Sequence, residues 1–90
     1  MLLFEWDREK AKKNFIKHNV SFEEAITVFY DPLSATFNDP DHSFGEQRFI
    51  TIGYSSLNHL LVVSHTDRRE TVRIISARYA TKKERKKHEN

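Results

Sequence analysis

The 90-residue chain has no cysteine, two glycines, two prolines, one methionine and one tryptophan. Without cysteine there is no disulfide and no thiolate metal site. With so little glycine and proline, a collagen-like repeat, a flexible linker and a low-complexity segment are excluded. The glycine-rich phosphate loops G-x-x-x-x-G-K-[ST] and G-x-G-x-x-G are missing, and so is H-E-x-x-H. No stretch approaches the roughly 18 apolar residues of a membrane span. The opening MLLFEWDREK has a short apolar stretch with no basic segment before it, unlike a signal peptide. The expectation is a soluble, cytoplasmic protein with no membrane contact.

Hydrophobic residues make up 38% of the chain and charged residues 31%. That is a globular balance with a charged surface. Ninety residues suffice for one domain, spanning 1–90, and its core is modest. Seven Phe and three Tyr supply most of its bulk. The net charge of +2 hides an asymmetry. Residues 1–30 are balanced, with five basic and five acidic groups. Residues 31–47 carry Asp31, Asp39, Asp41 and Glu46 and no Lys or Arg. Residues 48–90 carry ten basic groups against four acidic ones. A basic tail of this kind suits a polyanion, or else is a solvated helix that aids solubility.

Leu2 to Phe4 read as a short strand, and Asp7 caps a helix from about Arg8 to His18. Ala11, Phe15 and His18 form its expected inner stripe, and Asn19 stops it. Ser21 to Glu24 is an S-x-x-E capping box. Phe22, Ala25, Ile26 and Phe29 then follow the i, i+3, i+4, i+7 spacing of an amphipathic helix, which Asp31-Pro32 ends. Strands are expected at 33–38, 47–54, 59–65 and 71–79. NDPDHSFGE forms a loop, and turns fall at 55–58 and 67–70. A second capping box, Thr81 to Glu84, opens a last helix with Lys82, Lys83, Arg85, Lys86 and Lys87. Its two early lysines add to the positive end of the helix dipole, a phosphate-binding arrangement. The architecture predicted is α+β: two N-terminal helices packed on a curved antiparallel sheet, with a short basic C-terminal helix.

Arg48, His65, Arg73 and Arg78 lie on or at the ends of these strands. Regular alternation puts Arg73 and Arg78 on opposite faces unless a bulge intervenes, so that Arg78 otherwise enters a site from the strand's end. Arginines, a histidine and a nearby carboxylate suit RNA cleavage. That reaction needs a base for the 2′-hydroxyl, positive charge on the phosphorane and an acid for the leaving 5′-oxygen. Candidate catalytic residues are Glu46, Arg48, His65, Arg73 and Arg78, with His65 or Glu46 moving protons and arginines holding phosphate. Candidate RNA contacts are Lys17, His18, Lys82, Lys83 and Lys86. The structural alternatives are a Glu46–Arg48 cross-strand pair, a strand-end histidine and cations that suit a helix C-terminus. The cluster Asp39, Asp41, His42 and Glu46 matches neither a calcium loop nor a zinc pattern, so no metal or other cofactor is expected.

The segments FEWDREKAKKNFIKHNVSFEEA, FYDP, DPDHSFGEQRFITIG, LLVVSHTDR and RIISARYATKKER together resemble the BrnT toxins of bacterial type II toxin–antitoxin systems. The resemblance runs from Phe4 to about Arg85 and departs at Asn19, where the family has Gly, and near His88, where it has an aromatic. It implies a RelE-like fold and a metal-independent endoribonuclease that inhibits translation. It also implies a BrnA-like ribbon-helix-helix antitoxin, a two-plus-two complex, and autorepression at operator DNA bound through the antitoxin.

Overall fold

The computed structural model describes residues 2–90. A short strand, β1 (Leu3–Glu5), leads into α1 (Arg8–His18) and α2 (Phe22–Thr27), which a 3-10 turn at Val28–Tyr30 extends. Strands β2 (Ala35–Asn38), β3 (Arg48–Tyr54), β4 (Leu60–Arg68) and β5 (Thr71–Tyr79) follow, and α3 (Lys82–Glu89) ends the chain. The strand order is β1-β5-β4-β3-β2. β2 to β5 pair antiparallel as expected, but β1 joins β5 in parallel, so the sheet is mixed. Parallel pairing needs a long crossover, and here most of the chain lies between the two strands.

The caps explain the helix boundaries. Asp7 accepts hydrogen bonds from the N–H groups of Glu9 (2.8 Å) and Lys10 (3.2 Å) and so starts α1. Asn19 ends it in the left-handed conformation, at φ 58°. Ser21 caps α2 through the Glu24 N–H at 3.0 Å. The reciprocal half of the expected box does not form. The Glu24 carboxylate instead accepts from the Ser55 hydroxyl (2.6 Å) and His59 Nδ1 (2.8 Å), tying α2 to the turn between β3 and β4. The box at Thr81–Glu84 is complete.

The inner stripe of α1 differs from the expected one. Phe15 is 51% exposed, and Asn14 takes the buried position. Its side-chain amide donates to the carbonyls of Val20 (3.0 Å) and Ala77 (2.8 Å), and its oxygen accepts from the Ala77 N–H (3.1 Å). β1 stops at Glu5, paired with Arg73, and does not reach Ala77. Asn14 therefore supplies the donor and acceptor that a neighbouring strand would supply, which makes its burial worthwhile.

The main core lies between the helices and one sheet face. Val20, Phe22, Ala25 and Val28 pack against Leu61, Val63, Val72, Ile74 and Ala77. Fully burying a side chain of this size contributes about 1.5–3 kcal/mol. The 3-10 turn approaches β3 so closely that Gly53 has no room for a side chain. A Cβ there would stand 2.8 Å from Ser34 Cβ and 3.0 Å from Val28 Cγ1. Asp31 fixes this contact by accepting from the N–H groups of Tyr54 (2.8 Å) and Leu33 (2.9 Å). Those two bonds hold its pKa below the usual carboxylate value.

The β4–β5 hairpin contains a bulge. Ser64 pairs with Ser76 but His65 pairs with Ile74, which leaves Ile75 unpaired. Val72 and Ile74 face the helices before the bulge, and Ala77 does so after it. Arg73 and Arg78 consequently both stand on the face away from the helices, so regular alternation fails here. β4 also runs to Arg68, further than expected, and only Arg69-Glu70 make the turn, with Arg69 at φ 58°.

Candidate functional site

The sheet face away from α1 and α2 carries a row of polar residues across its strands. Arg48 of β3 pairs with Thr66 of β4, Thr66 pairs with Arg73 of β5, and Arg73 pairs with Glu5 of β1. Directly paired residues project from the same face, so the four side chains line up. One step beyond is Arg68, which shares this face with Thr66. Its guanidinium donates through Nε (3.0 Å) and Nη2 (2.8 Å) to Glu46 Oε2.

Glu46 comes from the loop before β3, which is braced on both sides. The Ser43 hydroxyl accepts from the Arg48 N–H (2.9 Å) and donates to the Asp39 carbonyl (2.7 Å). Gly45 supplies the left-handed turn, at φ 75°. Arg68 lowers the pKa of Glu46 most, followed by the Thr66 hydroxyl. That buried hydroxyl faces the carboxylate without making a hydrogen bond of good geometry. Glu46 is thus held as a carboxylate at neutral pH, and Arg68 in turn is held charged.

The other two arginines of the row are less engaged. Arg73 has, among the described residues, a single ion-pair contact, at 3.6 Å to Glu5. Among the described residues, no carboxylate lies within ion-pair distance of Arg48. Two half-buried guanidinium groups with spare donors, flanked by a carboxylate, can bind a phosphodiester through bidentate hydrogen bonds.

The structure therefore brings Glu46, Arg48 and Arg73 together and adds Arg68, which the sequence pattern places in a turn. The even spacing of Thr66 and Arg68 along one strand is the signal for it. The expected Glu46–Arg48 pair does not form, because Arg68 takes the carboxylate.

Arg78 is on the same face but at its other end, paired in register with Val62. It does not reach the row's chemistry, because Glu84 holds it through two bonds of 2.8 and 2.9 Å. Glu84 also accepts from the Thr81 N–H at 2.9 Å. Arg78 is the largest cause of its low pKa of about 2. The N-terminus of α3, expected to bind a phosphate, is thus already met by the chain's own carboxylate. Lys82, Lys83 and Lys86 remain exposed on the outside of α3.

His65 lies on the opposite face, 1% exposed, between the edge of Phe29 and the stacked ring of Phe49. The Asp67 carboxylate can only accept, so His65 Nδ1 carries the proton in their 2.7 Å contact. Nε2 then accepts from the Thr51 hydroxyl at 2.8 Å, and Thr51 accepts from Thr36 at 2.8 Å. Burial lowers the pKa of His65, and Asp67 opposes this in part. The sheet separates His65 from a phosphate on the arginines. Lys17 and His18, at the end of α1, lie on that same helix-covered side.

In the cluster Asp39, Asp41, His42 and Glu46, His42 Nδ1 donates to Asp39 at 3.0 Å while Glu46 turns to Arg68. No group of three or more potential metal ligands occurs among the described residues. No described helix is long and apolar enough to cross a membrane.

The fold is similar to the crystal structure of the Brucella abortus ribonuclease toxin BrnT, with a TM-score of 0.71 and 19% sequence identity. The alignment covers 91% of this chain and 100% of that one. No curated protein matches the chain by sequence. The family described as "Ribonuclease toxin, BrnT, of type II toxin-antitoxin system" matches residues 6–84. That span takes in both core helices, the whole sheet from β2 to β5 and the arginine row, and the chain belongs to this family of type II toxin–antitoxin ribonuclease toxins.

Proposed function

We propose that the chain is a metal-independent endoribonuclease whose active centre is the open-face row of Arg48, Arg73 and Glu46, with Arg68 holding Glu46 in place. The observation that carries this reading is the same-face alignment of two half-free arginines beside an oriented carboxylate. Arg48 and Arg73 bind the phosphodiester and stabilise the added negative charge of the phosphorane. Glu46 takes the proton of the 2′-hydroxyl. The 2′-oxygen attacks phosphorus, the bond to the 5′-oxygen breaks, and that oxygen leaves with a proton from solvent. The arginines supply the positive charge that a metal ion supplies in other nucleases. His65 keeps β3 and β4 in register from behind, and Arg78 fixes α3. Lys82, Lys83 and Lys86 attract the RNA backbone as exposed cations.

A type II family implies an antitoxin partner. We take it to be a BrnA-like ribbon-helix-helix protein that forms a two-plus-two complex with the toxin and represses their operon in the bacterial cytoplasm. Cleavage of cellular RNA and the resulting translation arrest are the activity it restrains.

The test is cleavage of RNA by the purified protein in EDTA, comparing wild type with Glu46→Gln and Arg48→Ala. Cleavage that survives EDTA and falls at least about 100-fold in both variants supports the reading. Salt-dependent RNA binding with no cleavage would instead favour a non-catalytic RNA-binding module.

A further inference from the structure

Next to the arginine row, the open face turns apolar. Ala35 and Phe37 of β2, Ile50 and Ile52 of β3 and Val62 of β4, with Leu33, floor a groove of about 480 Å³. Lys87 and His88 of α3 wall it on one side. Phe37 is 56% exposed and Leu33 77% exposed, so the groove's own chain leaves it open.

We infer that this groove is a subsite for an unpaired nucleobase attached to the phosphate on Arg48 and Arg73; the inference rests on the endoribonuclease reading above. Phe37 pairs with Ile50, and Ile50 is the next same-face residue after Arg48. Same-face neighbours on a strand are about 7 Å apart. A phosphate on Arg48 therefore brings its base over Ile50 and the Phe37 ring. The groove is apolar along its floor, with Arg48 and Arg73 beyond one end; at the other end stand Lys87 and Glu84, whose carboxylate is already paired with Arg78. A strand whose bases are apolar-faced and whose linkers are anionic matches that pattern. Aromatic side chains take any base by its π-face, so the subsite favours unpaired nucleotides over a particular sequence. A duplex keeps its bases stacked inside and cannot fill the groove.

Affinity is measured by fluorescence anisotropy with uncleavable 2′-O-methyl oligoadenylate, an abasic oligomer of the same length and a blunt RNA duplex. Wild type is expected to bind the oligoadenylate about tenfold more tightly than the abasic strand. Phe37→Ala, on an exposed edge strand, removes most of that preference. Phe37→Trp retains it and shows quenched tryptophan fluorescence on binding. Equal affinity of wild type for base-bearing and abasic strands overturns the inference while leaving the arginine site standing, provided Arg48→Ala weakens both. Unchanged base preference in a folded Phe37→Ala protein also overturns it. Loss of antitoxin binding alone in that variant would assign the groove to a protein partner instead. If wild type binds no RNA, this inference and the endoribonuclease reading fail together.

Discussion

Arg73 and Arg78 stand on one face of β5 although they are an odd number of positions apart, because Ile75 is bulged out of the pairing with β4. The shared face does not give them a shared role. Arg73 meets Thr66 and Glu5 in a row that includes Arg48, whereas Arg78 is committed to Glu84 and anchors α3. Glu84, not the bulge, thus separates their roles, leaving Arg73 to the candidate site and committing Arg78 to holding the helix beside it.

The Arg78–Glu84 pair makes stability depend on acid pH. Glu84 titrates at about 2 when folded, against a reference value of 4.5. A depressed folded pKa contributes stability above the unfolded value, and that stability is lost as pH falls from 4.5 towards 2. Glu84 is partly exposed, so after allowance for solvent screening the contribution is about 1 kcal/mol. Thermal unfolding between pH 6 and pH 3 should show a smaller fall in midpoint for Arg78→Ala than for wild type. An identical acid response in the two proteins would contradict the assignment.

Asn14 should be the costliest polar residue to replace. Asn14→Leu keeps the volume but leaves the Ala77 N–H and carbonyl and the Val20 carbonyl without their partners. Urea unfolding should show a loss of about 3 kcal/mol with an unchanged slope. A loss below about 0.5 kcal/mol would mean that water replaces the amide at no cost.

Gly53→Ala should destabilise by about 1–3 kcal/mol, the usual cost of overpacking. Its Cβ overlaps Ser34 and Val28 where the chain is pinned by Asp31. The fall in thermal midpoint checks this. Gly45→Ala meets no neighbour and should cost only its left-handed strain.

His65 should remain neutral to below its reference value of 6.5, with the proton on Nδ1. A folded pKa below the unfolded one gives full stability above 6.5 and a loss as pH falls below it. Proton NMR titration of the imidazole measures the midpoint. Asp67→Asn, which removes the carboxylate that favours the charged ring, should lower it further. A His65→Ala protein that folds and cleaves RNA normally would confirm that the buried ring takes no part in the chemistry.

Much of this arrangement was legible in the sequence where the cause is local. Ser21 and Thr81 are side-chain caps, and residues 71–79 form a strand at the predicted limits. The family motifs also carry the fold. What was not legible depends on residues far apart in the chain. The bulge at Ile75 arises from the register of β4 against β5, and nothing in RIISAR marks it. The parallel place of β1 and the burial of Asn14 in preference to Phe15 both follow from where β1 ends beside β5. Glu46 was a visible candidate, but its partner Arg68 became one only because β4 takes in the first two residues of the expected turn.

The most direct test compares RNA cleavage by purified, folded Arg73→Ala and Arg78→Ala proteins in EDTA. Arg73→Ala is predicted to lose at least about 100-fold in rate, as expected for a group that stabilises transition-state charge, and Arg78→Ala less than about tenfold. Wild-type cleavage by Arg73→Ala, or a larger loss in Arg78→Ala, would contradict the assignment of the arginine row as the active centre.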